Sequence, residues 1–362
     1  MLVQPLRHAP LKVPSFRPTV EPKVAVLLNA NARKVTDRVI RSLSHVVPEE
    51  DLFVSRSQLD ARRITQTVLE RRYHTVFCGG GDGTFMGFVN EIYGQLDQRN
   101  RYLHQRAPRF GILKLGTGNG MAALVNASST RSDGILDDVL RARAGEVPGY
   151  RRVDMLQVEG KRAPFAGLGV DGKLLNDYIW VKENLGRGLL KRAMTGPGGY
   201  FSAVAFKTIP HYLTASTWFD AEVINNEGEA FLIGPDGEPT GTSYKPGETM
   251  FKGRLMMASA GTIPYYGFEL KMFPFATKRA GYMNLRLGAV GTMNAIANLP
   301  KLWAGTWRDE GIRDFYAKDV SIKFTKPMAF QIGGDAEGYR EQVRLQVASE
   351  PIELVDFTGA VN

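Results

Sequence analysis

The string Gly79-Gly80-Gly81-Asp82-Gly83-Thr84 constrains this chain more than any other. It follows the apolar run Thr75-Val76-Phe77-Cys78, which is short and rich in β-branched and aromatic residues, as a strand buried in a parallel sheet would be. A helical pattern from Phe85 to Tyr93 comes directly after it. Four glycines within five positions let backbone N–H groups approach an anion with no Cβ in the way. The helix N-terminus behind them favours negative charge. Asp82, the one acid in the turn, would by itself repel a phosphate; it makes sense with a divalent cation between the two. The pattern predicts a metal–nucleotide site at a strand-to-helix junction.

The same rhythm surrounds it. Val24 to Leu28 reads as a strand that ends in Asn29-Ala30-Asn31-Ala32-Arg33, followed by an amphipathic helix to about Val46. Leu52 to Val54 leads into Ser55 and a helix near Ala61 to Arg72. Phe110 to Leu113 leads into Leu115-Gly116-Thr117-Gly118-Asn119-Gly120 and a helix beginning at Met121. Repeated strand, loop and helix predict an α/β domain, a parallel sheet with crossover helices. Ligands sit at the carboxyl ends of the strands in such sheets, which puts the loops at Asn29, Ser55, Gly79 and Gly116 on one rim.

After about Gly149 the pattern becomes strand-rich. Runs at Met155–Val158, Pro164–Val170, Trp218–Ile224, Leu255–Ala260, Met283–Leu287, Val320–Phe324, Ala329–Ile332 and Val343–Ala348 predict a second, mainly β domain. Gly234-Pro235-Asp236-Gly237-Glu238-Pro239 reads as a turn between two such runs. The expected organisation is a proline-rich tail over 1–22, a nucleotide-binding domain over 23–148 and a β-rich domain over 149–346. Residues 347–362 are then available to pack back on the first domain.

At 362 residues, 43% hydrophobic and 23% charged, the chain has the length and composition for two soluble cored domains. No apolar run approaches the roughly 18 residues of a membrane span, and the first residues lack a secretory pattern. The single cysteine, Cys78, excludes an internal disulfide framework and fits a reducing, cytoplasmic compartment. On an apolar strand it reads as a core residue. The formal net charge of +9 suits nucleic acid, anionic lipid or nucleotide phosphate. Zinc spacing, RNA-binding aromatics and a helix-turn-helix pattern are all missing, so no nucleic-acid partner is expected. Between Tyr178 and His211, Lys182, Arg187, Lys191, Arg192 and Lys207 face one acid, Glu183, and alternate with Trp180, Leu185, Leu189, Leu190, Met194, Tyr200, Phe201 and Phe206. That texture suits an anionic bilayer surface. It also suits a helical pair packed on the β domain with its basic residues solvated.

Taken together in order and spacing, four elements resemble the diacylglycerol kinase catalytic-domain family, the lipid kinases that include sphingosine and ceramide kinases. They are Gly80-Gly81-Asp82-Gly83-Thr84, Leu115-Gly116-Thr117-Gly118-Asn119, Gly261-Thr262-Ile263-Pro264-Tyr265-Tyr266-Gly267 with Phe273-Pro274-Phe275-Ala276, and Gln331-Ile332-Gly333-Gly334-Asp335-Ala336-Glu337. The resemblance runs from about Lys23 to Phe357. It implies ATP and Mg²⁺ bound between an α/β domain and a β-sandwich, and a lipid as substrate. By position, Asn29, Asn31, Ser55, Gly80, Gly81, Asp82, Gly83, Thr84, Gly116, Thr117, Gly118 and Asn119 would hold the nucleotide, with Asp82 at the metal. Glu337, with Asp335 beside it, would take the proton of the acceptor hydroxyl. The resemblance also gives weight to a peripheral position on the inner face of the membrane. Asp236-Gly237-Glu238 spells the family's acidic element but precedes Tyr265 and lies in a turn, so it is read as a decoy.

The chain departs from the family in places. The first loop is Asn-Ala-Asn-Ala-Arg rather than Asn-Pro with glycine, Gly120 replaces an aspartate, Ala336 replaces a glycine, and Ala280 stands where many bacterial members carry a metal-holding aspartate. Two other readings are a kinase of a soluble hydroxyl substrate, as in NAD kinases, and a non-catalytic nucleotide or lipid sensor.

Overall fold

In a computed structural model the described residues are 22–116, 120–128, 133–169, 218–266 and 270–358. The basic segment Tyr178–His211 and nearly all of the proline-rich tail lie outside them.

Five of the six strands of the first sheet carry the α/β pattern. The order is β2 (Leu52–Ser55), β1 (Val24–Asn29), β3 (Thr75–Gly80), β4 (Arg109–Lys114), β18 (Ile352–Asp356) and β5 (Gly149–Val153). All neighbours are parallel except β18 and β5. Alternation splits the buried side chains between two faces. Leu27, Val76, Cys78, Phe110, Ile112 and Leu354 pack under α2 (Gln58–Glu70) and α3 (Asp82–Leu103). Val26, Leu28, Phe77, Leu113 and Val355 pack under α1 (Asp37–Ser44) and α5 (Gly134–Arg143). Helix starts follow the capping rules: Val39 N donates to Thr36 Oγ1 at 3.4 Å, and Asp60 N donates to Ser57 Oγ at 3.1 Å. The Asp60 carboxylate reaches back to accept from Arg56 N at 3.0 Å, and such bonds hold it below the usual carboxylate range.

The chain leaves this sheet after Val153 and enters a twelve-stranded antiparallel sheet. Its main path is β11 (Pro239–Tyr244), β10 (Ala230–Ile233), β15 (Ile312–Ala317), β14 (Met283–Gly288), β13 (Met257–Gly261), β8 (Phe165–Gly169), β16 (Asp319–Ile332), β17 (Asp335–Val347), β6 (Leu156–Val158) and β7 (Lys161–Ala163). Sequence patterning reads Val320–Phe324 and Ala329–Ile332 as two strands, but β16 is continuous and its register against β17 shifts between Lys323 and Met328, around Pro327. Pro327 supplies no ladder donor, so the irregularity falls where the sequence breaks. The first half of β16 pairs with β9 (Phe219–Glu227), which carries β12 (Thr249–Leu255), and the second half pairs with β8. The branch encloses a core of Leu168, Phe219, Leu255, Leu285, Phe315, Val320 and Phe330. The architecture is thus an α/β domain followed by an antiparallel β domain, as the sequence predicts. The β10–β11 hairpin closes over the Gly234–Pro239 turn, which places Asp236-Gly237-Glu238 in a tight turn.

β18 is inserted between β4 and β5, and its Leu354 is fully buried. Leu354→Ala should therefore cost about 2–5 kcal/mol of stability. Urea unfolding followed through the whole chain checks this; a loss under about 1 kcal/mol would mean that β18 is not a structural member of the sheet.

Candidate active site

The rim forms because the strand register is nearly level: Asn29 stands opposite Ser55, and Gly80 opposite Lys114. Side chains then tie the loops together. Asn29 Nδ2 donates to Thr84 Oγ1 at 3.0 Å, its Oδ1 accepts from Asn31 N at 2.9 Å, and Asn31 Nδ2 donates to Arg56 O at 3.0 Å. Buried Ser55 turns its hydroxyl inward to Ser57 O at 3.0 Å. In this arrangement Ser55 and Asn31 fasten the rim, and the surface they fasten is the glycine loop.

That loop is a stretch of backbone with few side chains. β3 runs through Gly80, Gly81 is the N-cap of α3, and no side chain caps this helix of 22 residues. The leading N–H groups of an uncapped helix are unsatisfied donors at the positive end of its dipole, the equipment for holding phosphate. The neighbouring loop is packed directly against it. A Cβ at Gly116 would lie 2.1 Å from Gly81 Cα and 2.4 Å from Gly81 N, a separation no side-chain-bearing residue tolerates. Thr117, Gly118 and Asn119, predicted to continue this loop, lie outside the described residues.

Asp82 joins the two loops. Its Oδ2 accepts from Gly120 N at 2.8 Å and its Oδ1 from Met121 N at 3.1 Å, which caps the short helix α4 (Gly120–Ala123). Burial raises its pKa, and the two backbone bonds pull it back. A Cβ at Gly120 would meet Asp82 Oδ2 and Tyr265 Cβ, each at 3.5 Å. Tyr265, from the loop after β13, therefore stands over the cradle. Among the described residues no three His, Cys, Asp or Glu side chains gather as a metal cage. Mg²⁺ commonly keeps several waters and takes one or two carboxylates plus substrate phosphates, so a single buried carboxylate at the cradle fits it.

The acidic pair sits on the β16–β17 hairpin. Gly333 and Gly334 form its turn at φ of 60° and 93°, a conformation suited to glycine. Gly334 N donates to Gln331 Oε1 at 2.9 Å, and Gly333 N to Phe165 O at 2.8 Å. Asp335 and Glu337 follow. Glu337 forms an ion pair with Lys161 of β7. Loss of water, then the charge of Glu337, raises the pKa of Asp335, against the pull of Lys161. Asp335 is nonetheless largely exposed, so solvent screens these effects. Lys161 gives no signal in the sequence, since Glu159-Gly160-Lys161 looks like an ordinary solvated turn.

Residues 23–149 match the diacylglycerol kinase catalytic domain. No curated protein matches the chain. Among solved structures, a diacylglycerol kinase from Bacillus anthracis str. Sterne aligns with a TM-score of 0.58 at 14% identity, covering 94% of this chain and 98% of that one. A putative diacylglycerol kinase from the same organism aligns at 0.58 and 15% identity, covering 94% and 99%. At such identities the likeness is one of fold.

Gly116→Ala should force the two loops apart and weaken ATP binding at least about tenfold, while cores distant from the rim survive. Isothermal titration with ATP tests this, and unchanged affinity would place the nucleotide elsewhere.

Proposed function

We propose that the protein is an ATP-dependent lipid kinase whose acceptor is a hydroxyl of a diacylglycerol-like or sphingoid lipid, starting from the match of residues 23–149 to the diacylglycerol kinase catalytic domain. One observation carries the reading. The N-terminus of α3 opens, with no side-chain cap, into a glycine cradle, and Glu337 of the β domain pairs with Lys161 of β7, the strand that packs on that same helix.

In the proposed reaction the lipid hydroxyl oxygen attacks the γ-phosphorus of ATP, the bond from that phosphorus to the β,γ-bridging oxygen breaks, and ADP leaves. The hydroxyl proton passes to the Glu337 carboxylate, with Asp335 as the second member of the pair. Lys161 balances the charge of Glu337 and orients it. Backbone donors at Gly81, Gly83 and Thr84 would receive the phosphates, and Asn29 steadies Thr84. Gly116 would close the cradle on its other side, and Thr117, Gly118 and Asn119, outside the described residues, are proposed as further nucleotide contacts. Mg²⁺ held at Asp82 would neutralise phosphate charge as it spreads in the transition state.

No helix among the described residues is long and apolar enough to cross a membrane. The lipid would be met at a surface, and the net charge of +9 suits an anionic one, the cytoplasmic face of the membrane.

Transfer of labelled γ-phosphate from Mg·ATP to a total lipid extract tests the proposal. A labelled lipid is expected, identified by mass, and ATP binding without any labelled lipid would point to a soluble acceptor or a sensor. Glu337→Gln should lower kcat by roughly 10²–10⁴. A change confined to KM would make Glu337 a positioning residue. Asp82→Asn keeps one of the two acceptors that cap α4 and removes the charge, so it should abolish transfer and lower the melting temperature while the fold is retained. Near-normal turnover would remove Asp82 from the metal site.

A further inference from the structure

Asn90, on α3 two turns beyond the glycine loop, bonds to a backbone in the other domain. Its Nδ2 donates to Arg162 O at 2.9 Å, and its Oδ1 accepts from Arg162 N at 2.7 Å. An amide that both gives to and takes from the backbone of one residue mimics a strand partner, so it fixes β7 in position and in rotation. Nδ2 also donates to Met86 O at 3.0 Å, which locks the amide to its own helix. Arg162 adds two contacts: its guanidinium lies 3.8 Å over the Tyr93 ring, and Nη1 donates to Glu350 O.

The residue before Arg162 is Lys161, the partner of Glu337. The turn that precedes it takes hold of the same acid from the other side. Glu159 and Gly160 turn at φ of 48° and 80°. Arg340 Nε and Nη2 donate to the two carboxylate oxygens of Glu159 at 2.6 and 2.8 Å, while Arg340 Nη1 donates to Glu337 O at 2.9 Å. Glu337 is therefore held by side chain through Lys161 and by backbone through Arg340 and Glu159. Both grips belong to the β6–β7 hairpin, and that hairpin is fastened to α3.

We propose that the β6–β7 hairpin is the positioning element for Glu337: Asn90 sets its place relative to the glycine loop, and Lys161 transmits that place to the carboxylate. Asp82 and Asn90 are eight residues apart on one helix, about 12 Å along its axis. A rigid helix thus measures the distance from the phosphate cradle to the residue that delivers the base. The inference rests on the reading of Glu337 as the base. Asn90 and Lys161 are positioning residues, since neither is required to touch substrate.

The test measures phosphate transfer from labelled ATP to the total lipid extract for wild type, Glu337→Gln, Lys161→Met, Lys161→Arg and Asn90→Ala, with ATP affinity by titration and amide hydrogen exchange alongside. Lys161→Met and Asn90→Ala should each lower kcat by about 10- to 100-fold with ATP affinity within twofold of wild type. Their combination should cost little more than either alone, because both break one chain of contacts. Lys161→Arg should restore most of the rate. Asn90→Ala should speed exchange at 159–163 and 335–340 but not at 79–84, a readout that needs no acceptor. Wild-type kcat in Lys161→Met, beside a crippled Glu337→Gln, overturns the positioning role and leaves the base assignment standing. Wild-type kcat in Glu337→Gln overturns both. Should Asn90→Ala fail to fold, half-exposed Lys161 still decides the matter.

Discussion

The contact on which the rest depends is backbone against backbone at the ends of β3 and β4. Gly80 and Gly81 come so close to Gly116 that only glycine at position 116 permits it. This closeness brings two loops, each following its own strand, within reach of one carboxylate, and Asp82 accepts from both Gly120 and Met121. The buried carboxyl is expensive to ionise, and the two N–H groups offset part of that cost. A bound cation would offset more. The same group can therefore hold the cradle together and remain ready for a metal.

A second constraint is the length of α3. It begins in the cradle and continues for 22 residues, far longer than its neighbours α1 and α2, of 8 and 13 residues. Its first turn faces the rim, and its third turn meets β7 of the other domain through Asn90. An element that serves two sites must be stiff between them, and a continuous helix is stiffer than any loop. The two domains are thus joined by a shared part as well as by chain connections.

The rim was legible because glycine clusters and buried parallel strands leave strong local marks. Thr75–Cys78, Phe110–Leu113 and Leu52–Val54, read as strands from the sequence, fall within β3, β4 and β2. The β domain was legible as a class and less so in detail. β5, with the basic sequence Gly149-Tyr150-Arg151-Arg152-Val153, has no alternating apolar face and joins the first sheet through pairing with β18. Its strand character comes from a partner about 200 residues away, which no local window contains. The exposed strand β11 is equally silent, its residues Pro239–Tyr244 being small and polar. At the site, Asp335 and Glu337 stood out only through the family resemblance, since by themselves they look like a solvated hairpin, and Lys161 and Asn90 did not stand out at all. The role of Asn90 depends on which strand lies across from it, and no local window shows that.

The place of β18 has a consequence for how the chain comes into being. Synthesis runs from the N-terminus, and the first four strands of the α/β sheet emerge early, yet β18, which lies on the other side of β4 from β3, follows the whole β domain in sequence. Until residues 352–356 clear the ribosome, β4 presents an open edge of unpaired amides and carbonyls, and β5 has no partner in its sheet. The domain encoded first is therefore among the last to be finished, and the nascent chain must keep an apolar sheet edge out of trouble while the whole β domain is still being translated.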